Sequence, residues 1–293
     1  MSRNIKYQFK NAIDSHFTEG MNKHSIKANG EMNGERIFSY SDRKNLIDLS
    51  SGFSNFLKEN HSEVKMVKDI QSDHIQEFLN GKSADCSQKT LEQYKSRFQK
   101  LERLINNTYH IKVDYHSVTV PLSEKNGGGK IRNIMLSEND YSKMLQTTNE
   151  NLKKAVLLSK NFGLRASECS KLKYSDIKDN GIQIVDSKGK RSRFVPVENK
   201  GQKEVLEQLK QKKGDRVCPV QTGSLQQAFN REAKKKGISI DNGAFHTLRK
   251  NYATNKYQEY RKEGFSVQQS LDRVSARLGH GENRNALMKE YIC

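Results

Sequence analysis

The stretch FGLRASE, residues 162–168, places an arginine two residues after a glycine and between two apolar helical patterns. Leu152 to Phe162 reads as one helix, Gly163 as the turn that ends it, and Ala166 to Leu172 as the next. Arg165 thus falls at a helix start, where backbone N–H groups and the helix dipole join its planar fork of donors in attracting an anion. Taken alone, the more ordinary reading is an arginine that salt-bridges Glu168, three residues on.

Downstream, Gly181-Ile-Gln-Ile-Val185 and Arg193-Phe-Val-Pro-Val197 read as two short strands joined by the basic turn Lys188-Gly-Lys-Arg-Ser192. Helices are predicted at 202–212, 223–236, 246–262, 266–278 and 284–291. Upstream, Ser137-Glu-Asn-Asp140 opens a helix with a capping-box variant that carries Asp in place of Glu or Gln.

Further back, Val118, Val120 and Leu122 alternate with polar residues, Gly127–Gly129 interrupt them, and Ile131, Ile134 and Leu136 resume. Three helical stripes precede this break. They are Leu46, Leu49, Phe53, Phe56 and Leu57; Ile70, Ile75, Phe78 and Leu79; and Leu91, Tyr94, Phe98, Leu101 and Ile105 behind a Ser87 cap. The expected organisation is a polar extension over 1–35 with one short helix around Ile5–Phe17, a helical domain over 36–116, a linker or β-hairpin over 117–136, and a second domain over 137–293. The fold class is mainly α, with one short antiparallel sheet.

The net charge of +18 is placed unevenly. Residues 1–120 hold 18 Lys and Arg against 15 Asp and Glu, whereas residues 121–293 hold 34 against 19. A surplus gathered in one half suits a polyanion, because basic side chains gain affinity by releasing condensed counterions from nucleic acid. Cys86, Cys169, Cys218 and Cys293 are too scattered for a zinc site or a disulfide framework, which suits a reducing cytoplasm. No apolar run approaches the roughly 20 residues of a membrane span. There is no phosphate-binding loop of the G-x-x-x-x-G-K-[ST] type and no clustered acidic set for two-metal chemistry, so no cofactor is expected.

Four further signals complete the Arg165 set. Lys188 or Lys190 on the turn could hold an ammonium over a phosphate. His246 and Arg249 of HTLR share one helix face. His280 follows Leu278-Gly279, where glycine ends a helix. Tyr291 is the only tyrosine after His280, and a tyrosyl oxygen can attack phosphorus and conserve the bond energy. Each is more often structural when taken singly; their order within a basic helical domain is the signal.

On these residues the sequence resembles the tyrosine recombinase (phage integrase) family. FGLRASE is similar to its first-arginine motif, HTLRKNYAT (246–254) to its His-x-x-Arg helix, LGH (278–280) followed by Tyr291 to its closing segment, and Lys188 falls where the family places its hairpin lysine. The resemblance covers about 137–293; residues 36–112 are similar only in character to the family's core-DNA-binding domain. It implies a two-domain clamp on double-stranded DNA, acting as a homotetramer on two sites, and allows accessory DNA-bending proteins. It also implies site-specific recombination or integration for a mobile element through a 3′-phosphotyrosyl intermediate. Tyr291 would be the nucleophile, Arg165 and Arg249 the phosphate clamp, Lys188 the general acid, His246 an acid/base, and His280 a hydrogen-bond donor, with Glu168 orienting Arg165 or His246. The 11 positions from His280 to Tyr291 exceed the family's usual gap. Relaxation of DNA in the manner of a type IB topoisomerase, or DNA binding without catalysis, are the competing outcomes.

Overall fold

The computed structural model describes residues 4–19, 26, 29–30, 36–125, 135–187, 192–210, 215–240, 244–281 and 284–292. The chain forms two compact units, Met1–Lys130 and Ile131–Cys293.

The first unit is helical. α1 (Ile5–Ser15) starts at Asn4, whose side chain accepts from the Lys6 N–H at 2.9 Å. α2 (Tyr40–Asn60) is capped by Ser39, α3 (Ser72–Lys82) follows a short 3-10 turn, and α4 (Gln88–Tyr109) is capped by Ser87. The core is built round Phe53, which Phe9, Phe78 and Phe98 meet edge-on at ring-centroid distances of 6.4, 5.3 and 5.0 Å. Such edge-to-face geometry suits the ring quadrupoles and adds to the area buried.

Phe9, Ala12 and Ile13 are fully buried in that core. The first residues are therefore more than a polar extension: apolar side chains at helical spacing seat α1 against α2 and α4. Among the described residues 117–125 no strand forms. The run is held by side chains instead, with the Thr119 N–H donating to Gln76, the Ser123 N–H to Gln88, and the Glu124 N–H to the Ser83 carbonyl. Gly127–Gly129, Ile131 and Ile134 lie outside the described residues.

The second unit carries α5 (Glu138–Leu145), α6 (Glu150–Phe162), α7 (Ala166–Lys171), strands β1 (Ile177–Lys178), β2 (Gly181–Ile184) and β3 (Arg193–Pro196), then α8 (Lys200–Lys210), α9 (Thr222–Lys235), α10 (Ala244–Lys262), α11 (Val267–Leu278) and α12 (Asn285–Lys289). The strands form one antiparallel sheet in the order β1-β2-β3, with Ile182 opposite Val195 and Ile184 opposite Arg193. β1 was not legible in the sequence, because two residues carry no alternation.

One core gathers α5–α9 and the sheet round Phe162, Leu164 and Phe229. A second joins α10, α11 and α12 through Tyr252, Leu271, Val274, Leu278, Met288 and Tyr291. Asn251 of α10 secures the start of the unit: its Oδ1 accepts from the Leu136 N–H at 3.0 Å and its Nδ2 donates to the Leu136 carbonyl at 2.7 Å. A single side chain thereby satisfies both backbone groups of a buried residue.

Candidate active site

α6 ends at Gly163 in the left-handed conformation (φ 66°). A Cβ there would lie 2.5 Å from the Tyr252 ring, so glycine is required twice over, by backbone and by space. The chain then turns into α7 with Arg165 at the N-cap. Glu168, three residues on and buried, reaches back to accept from the Arg165 backbone N–H at 2.9 Å and from its Nη1 at 2.8 Å. The salt bridge expected as the more ordinary reading of Arg165 is present, and it fixes the guanidinium.

Glu168 has a second and closer partner. Arg193, the first residue of β3, donates from Nη1 to Oε1 at 2.7 Å and from Nη2 to Oε2 at 2.8 Å. The Ser187 hydroxyl also donates to Oε1, and Arg249 Nη1 stands 3.9 Å from Oε2. Burial disfavours the ionised carboxyl, but the hydrogen bonds and charge of Arg193, the charge of Arg249 and the Ser187 hydroxyl outweigh it. They hold Glu168 well below the ordinary carboxylate range. Ser187 and Arg193 flank the basic turn, so both feet of that turn rest on the carboxylate that fixes Arg165.

α10 brings His246 and Arg249 to the same place. Arg249 is fully buried; Nη1 donates to the Gly163 carbonyl and Nη2 to the Leu278 carbonyl at 2.5 Å, while Nε is buried without a hydrogen-bond partner. Burial and the neighbouring Arg165 push its pKa down to about 9, which leaves it charged at neutral pH. α11 ends at Gly279 (φ 71°), and the turn delivers His280. His280 Nε2 lies 3.2 Å from Arg165 Nη2 and 3.4 Å from Arg249 Nη2. Desolvation, followed by Arg249, Arg165, Arg193 and His246, pushes its pKa down to about 3, so its ring is neutral and Nε2 serves as the acceptor.

Tyr291 closes the cluster. Its ring stands edge-on to His246 and His280 at centroid distances of 5.0 and 5.3 Å, with the Arg249 guanidinium carbon 5.9 Å away. It is only 8% exposed. A cavity of about 180 Å³ opens beside Arg165, His246 and Arg249, walled further by Ser167, Thr222 and Gln226. Three guanidiniums here face a single carboxylate, an excess of two positive charges beside a neutral imidazole. Buried charge calls for a counter-charge, and planar forks suit the oxygens of a phosphate.

The structure therefore brings Arg165, Glu168, His246, Arg249, His280 and Tyr291 together. Lys188 and its alternative Lys190 lie outside the described residues. Arg193 joins the set as a residue that none of the sequence motifs marked. The strand period held the clue, because Arg193 shares the inner face with fully buried Val195, and a cation there requires a buried anion. Ser167 on α7 and Thr222 and Gln226 on α9 carried no signal, being ordinary polar positions. As for metals, the described His, Asp and Glu groups that converge within 4.8 Å are His61 with Glu63 and His74, and Glu102 with Asp114 and His116, all in the first unit. In the former, His74 Nδ1 already accepts from the Gln71 N–H at 3.0 Å.

A family model, the phage integrase family, matches residues 135–284, just over half of the chain. Among solved structures, the chain is similar to a lambda integrase dimer bound to a COC′ core site, with a TM-score of 0.67 at 20% identity over 92% of this chain and 77% of that one. It is also similar to a lambda integrase tetramer bound to a Holliday junction (TM-score 0.63, 20% identity, 94% and 77% covered). The Tn1549 transposon integrase in complex with a circular intermediate DNA is similar as well (TM-score 0.62, 11% identity, 97% and 94% covered). At these identities the likeness is one of fold. No curated protein matches the sequence.

Proposed function

The chain belongs to the phage integrase family, and from that premise we propose that it cuts and rejoins duplex DNA at a specific site through a 3′-phosphotyrosyl intermediate. One observation carries the reading: Arg165, Arg249 and His246 line a cavity beside an excess of positive charge, and Tyr291 packs against that His246 and against His280.

The scissile phosphate takes the cavity and supplies the missing negative charge. Arg165 and the unpartnered Nε of Arg249 donate to its non-bridging oxygens, and both stabilise the added charge of the pentavalent state. The Tyr291 oxygen attacks phosphorus, the P–O5′ bond breaks, the phenol proton passes to His246, and the leaving O5′ takes a proton from Lys188. Rejoining reverses each transfer: a 5′-hydroxyl attacks the phosphotyrosine and the phenol is regenerated. The arginines supply the charge that a metal ion would otherwise provide. Once they turn to the phosphate, His280 is released from them. The anion beside it then raises its pKa, so the ring can donate.

A tetramer on two DNA sites, work for a mobile element, and a cytoplasmic location complete the proposal. The lambda integrase tetramer on a Holliday junction supports the first, the family itself the second, and the scattered cysteines the third. Among the described residues no helix is long and apolar enough to cross a membrane.

The test is covalent trapping on sheared genomic duplex in the presence of EDTA, followed by sequencing of the trapped DNA. An adduct that survives denaturation, is lost in Tyr291→Phe and slows by about 10²-fold in Arg249→Ala is the expected result. An adduct that persists in Tyr291→Phe would refute the nucleophile. Adducts scattered without a preferred sequence, together with relaxation of any supercoiled plasmid, would identify a topoisomerase instead.

A further inference from the structure

We propose that Arg193 is a positioning residue for the cleavage step, holding Arg165 and His280 in one register from outside the phosphate cavity. The inference rests on the proposed strand cleavage and adds a residue to it.

All three nitrogens of the Arg193 guanidinium are engaged. Its two terminal nitrogens take both oxygens of Glu168, and Nε donates to the Arg277 carbonyl at 3.0 Å. Glu168 in turn fixes the backbone and the Nη1 of Arg165. Arg277 lies in the last turn of α11, three residues before His280, and the intervening Leu278 carbonyl receives Arg249. One half-buried residue on the sheet, its side chain 9% exposed, is thus bonded to the elements that deliver both residues, one on α7 and one after α11. Arg193 does not line the cavity, so it has no direct hold on a phosphate there.

Gly279 supports the same conclusion from the other side. A Cβ at that position would lie 2.9 Å from Arg193 Cδ and 3.2 Å from its Nη1. The glycine of LGH is therefore needed for the left-handed turn and also for room under this arginine. A lysine could keep the charge at position 193 but could not fork across both carboxylate oxygens while also reaching a carbonyl.

The experiment uses the full chain and the duplex recovered by trapping, nicked to accumulate adduct. Cleavage rates are compared for wild type, Arg193→Ala and Arg193→Lys, and non-covalent binding is measured in the Tyr291→Phe background. A misplaced clamp slows cleavage by about 10²-fold in Arg193→Ala, with dissociation constants within about two-fold. Arg193→Lys remains about ten-fold or more below wild type, because charge without the fork does not restore the geometry. The defect persists with a bridging 5′-phosphorothiolate, whose thiolate leaves without an acid.

Cleavage within two-fold of wild type in either variant would overturn the proposal, as would a loss confined to binding. Full restoration by the sulfur substrate would also overturn it, assigning Arg193 to the lysine turn instead. Should Arg193→Ala fail to fold, Arg193→Lys carries the same comparisons. Absence of any wild-type adduct would count against strand cleavage itself. In that event a crystal structure of Arg193→Lys decides the present point, and Arg165 and His280 left unmoved would refute it.

Discussion

Arg193 grips both oxygens of Glu168, at 2.7 and 2.8 Å, across 25 residues of sequence and from a different element of the fold. Glu168 is buried and Arg193 partly so, and the same carboxylate also serves Arg165 and faces Arg249. Removing the carboxylate leaves three guanidiniums close together without a counter-charge. Glu168→Gln, which keeps shape and loses charge, is expected to destabilise the unit Ile131–Cys293 by about 3–5 kcal/mol. Denaturant titration followed by circular dichroism measures it; a cost under about 1 kcal/mol would show that the arginines do not depend on this anion.

The two helix-ending glycines of the site should differ in cost. At Gly163 a Cβ meets the ring of buried Tyr252 at 2.5 Å, whereas at Gly279 it meets the side chain of Arg193 at 2.9 Å. Both alanine variants carry the left-handed penalty of about 1–2 kcal/mol. Gly163→Ala adds overpacking of about 1–3 kcal/mol because the ring has nowhere to go, while Gly279→Ala displaces a flexible stem. Thermal melting of the two variants is expected to rank Gly163→Ala as the less stable and Gly279→Ala as the more impaired in cleavage relative to its stability.

Acid should loosen the second unit in two stages. The folded-state pKa of His280 is about 3, below its ordinary 6.5, so the unfolded chain takes up that proton first as pH falls. Stability is therefore lost progressively from about pH 6.5 down to about 3. Glu168 is likewise held below its ordinary 4.5, and its contribution, present above that pH, is lost as the medium is acidified further. Melting curves between pH 7.5 and 5 are expected to show the first stage, and His280→Gln to flatten it. An NMR titration in which the His280 ring protonates near pH 6.5 would contradict the desolvated, arginine-flanked environment.

Tyr291 has two separable duties. Its ring is part of the core formed with Leu278 and Met288, while its hydroxyl is the proposed nucleophile. Tyr291→Phe is expected to keep the melting temperature within about 2 °C while abolishing the adduct. Tyr291→Ala opens a cavity in a small cluster and is expected to cost about 3–5 kcal/mol. Equal stability of the two variants would mean that the ring contributes no packing.

Much of this was legible in residue order. The spacing of Arg165, His246, Arg249 and His280 followed from turns that sequence can signal, a glycine after each of two apolar helices and a His-x-x-Arg on one helix face. Arg193 was hidden because its partner lies on an element that local pattern does not connect to β3; only the pairing of Ile184 with Arg193 turns that side chain toward α7. α1 was underestimated for a different reason. Its core residues Phe9, Ala12 and Ile13 are few, and they become a buried face only once α2 and α4 supply the opposite surface. The cavity walls contributed by Thr222 and Gln226 come from a helix more than 50 residues from Arg165, and nothing in their polarity distinguishes them.

The burial of Tyr291 has a last consequence. A side chain that plugs a small apolar cluster cannot be tethered to DNA without that cluster registering the change. The short helix Asn285–Lys289, which bears Met288, would thus act as a gauge of turnover, its amide exchange or protease resistance differing between free and DNA-linked chains.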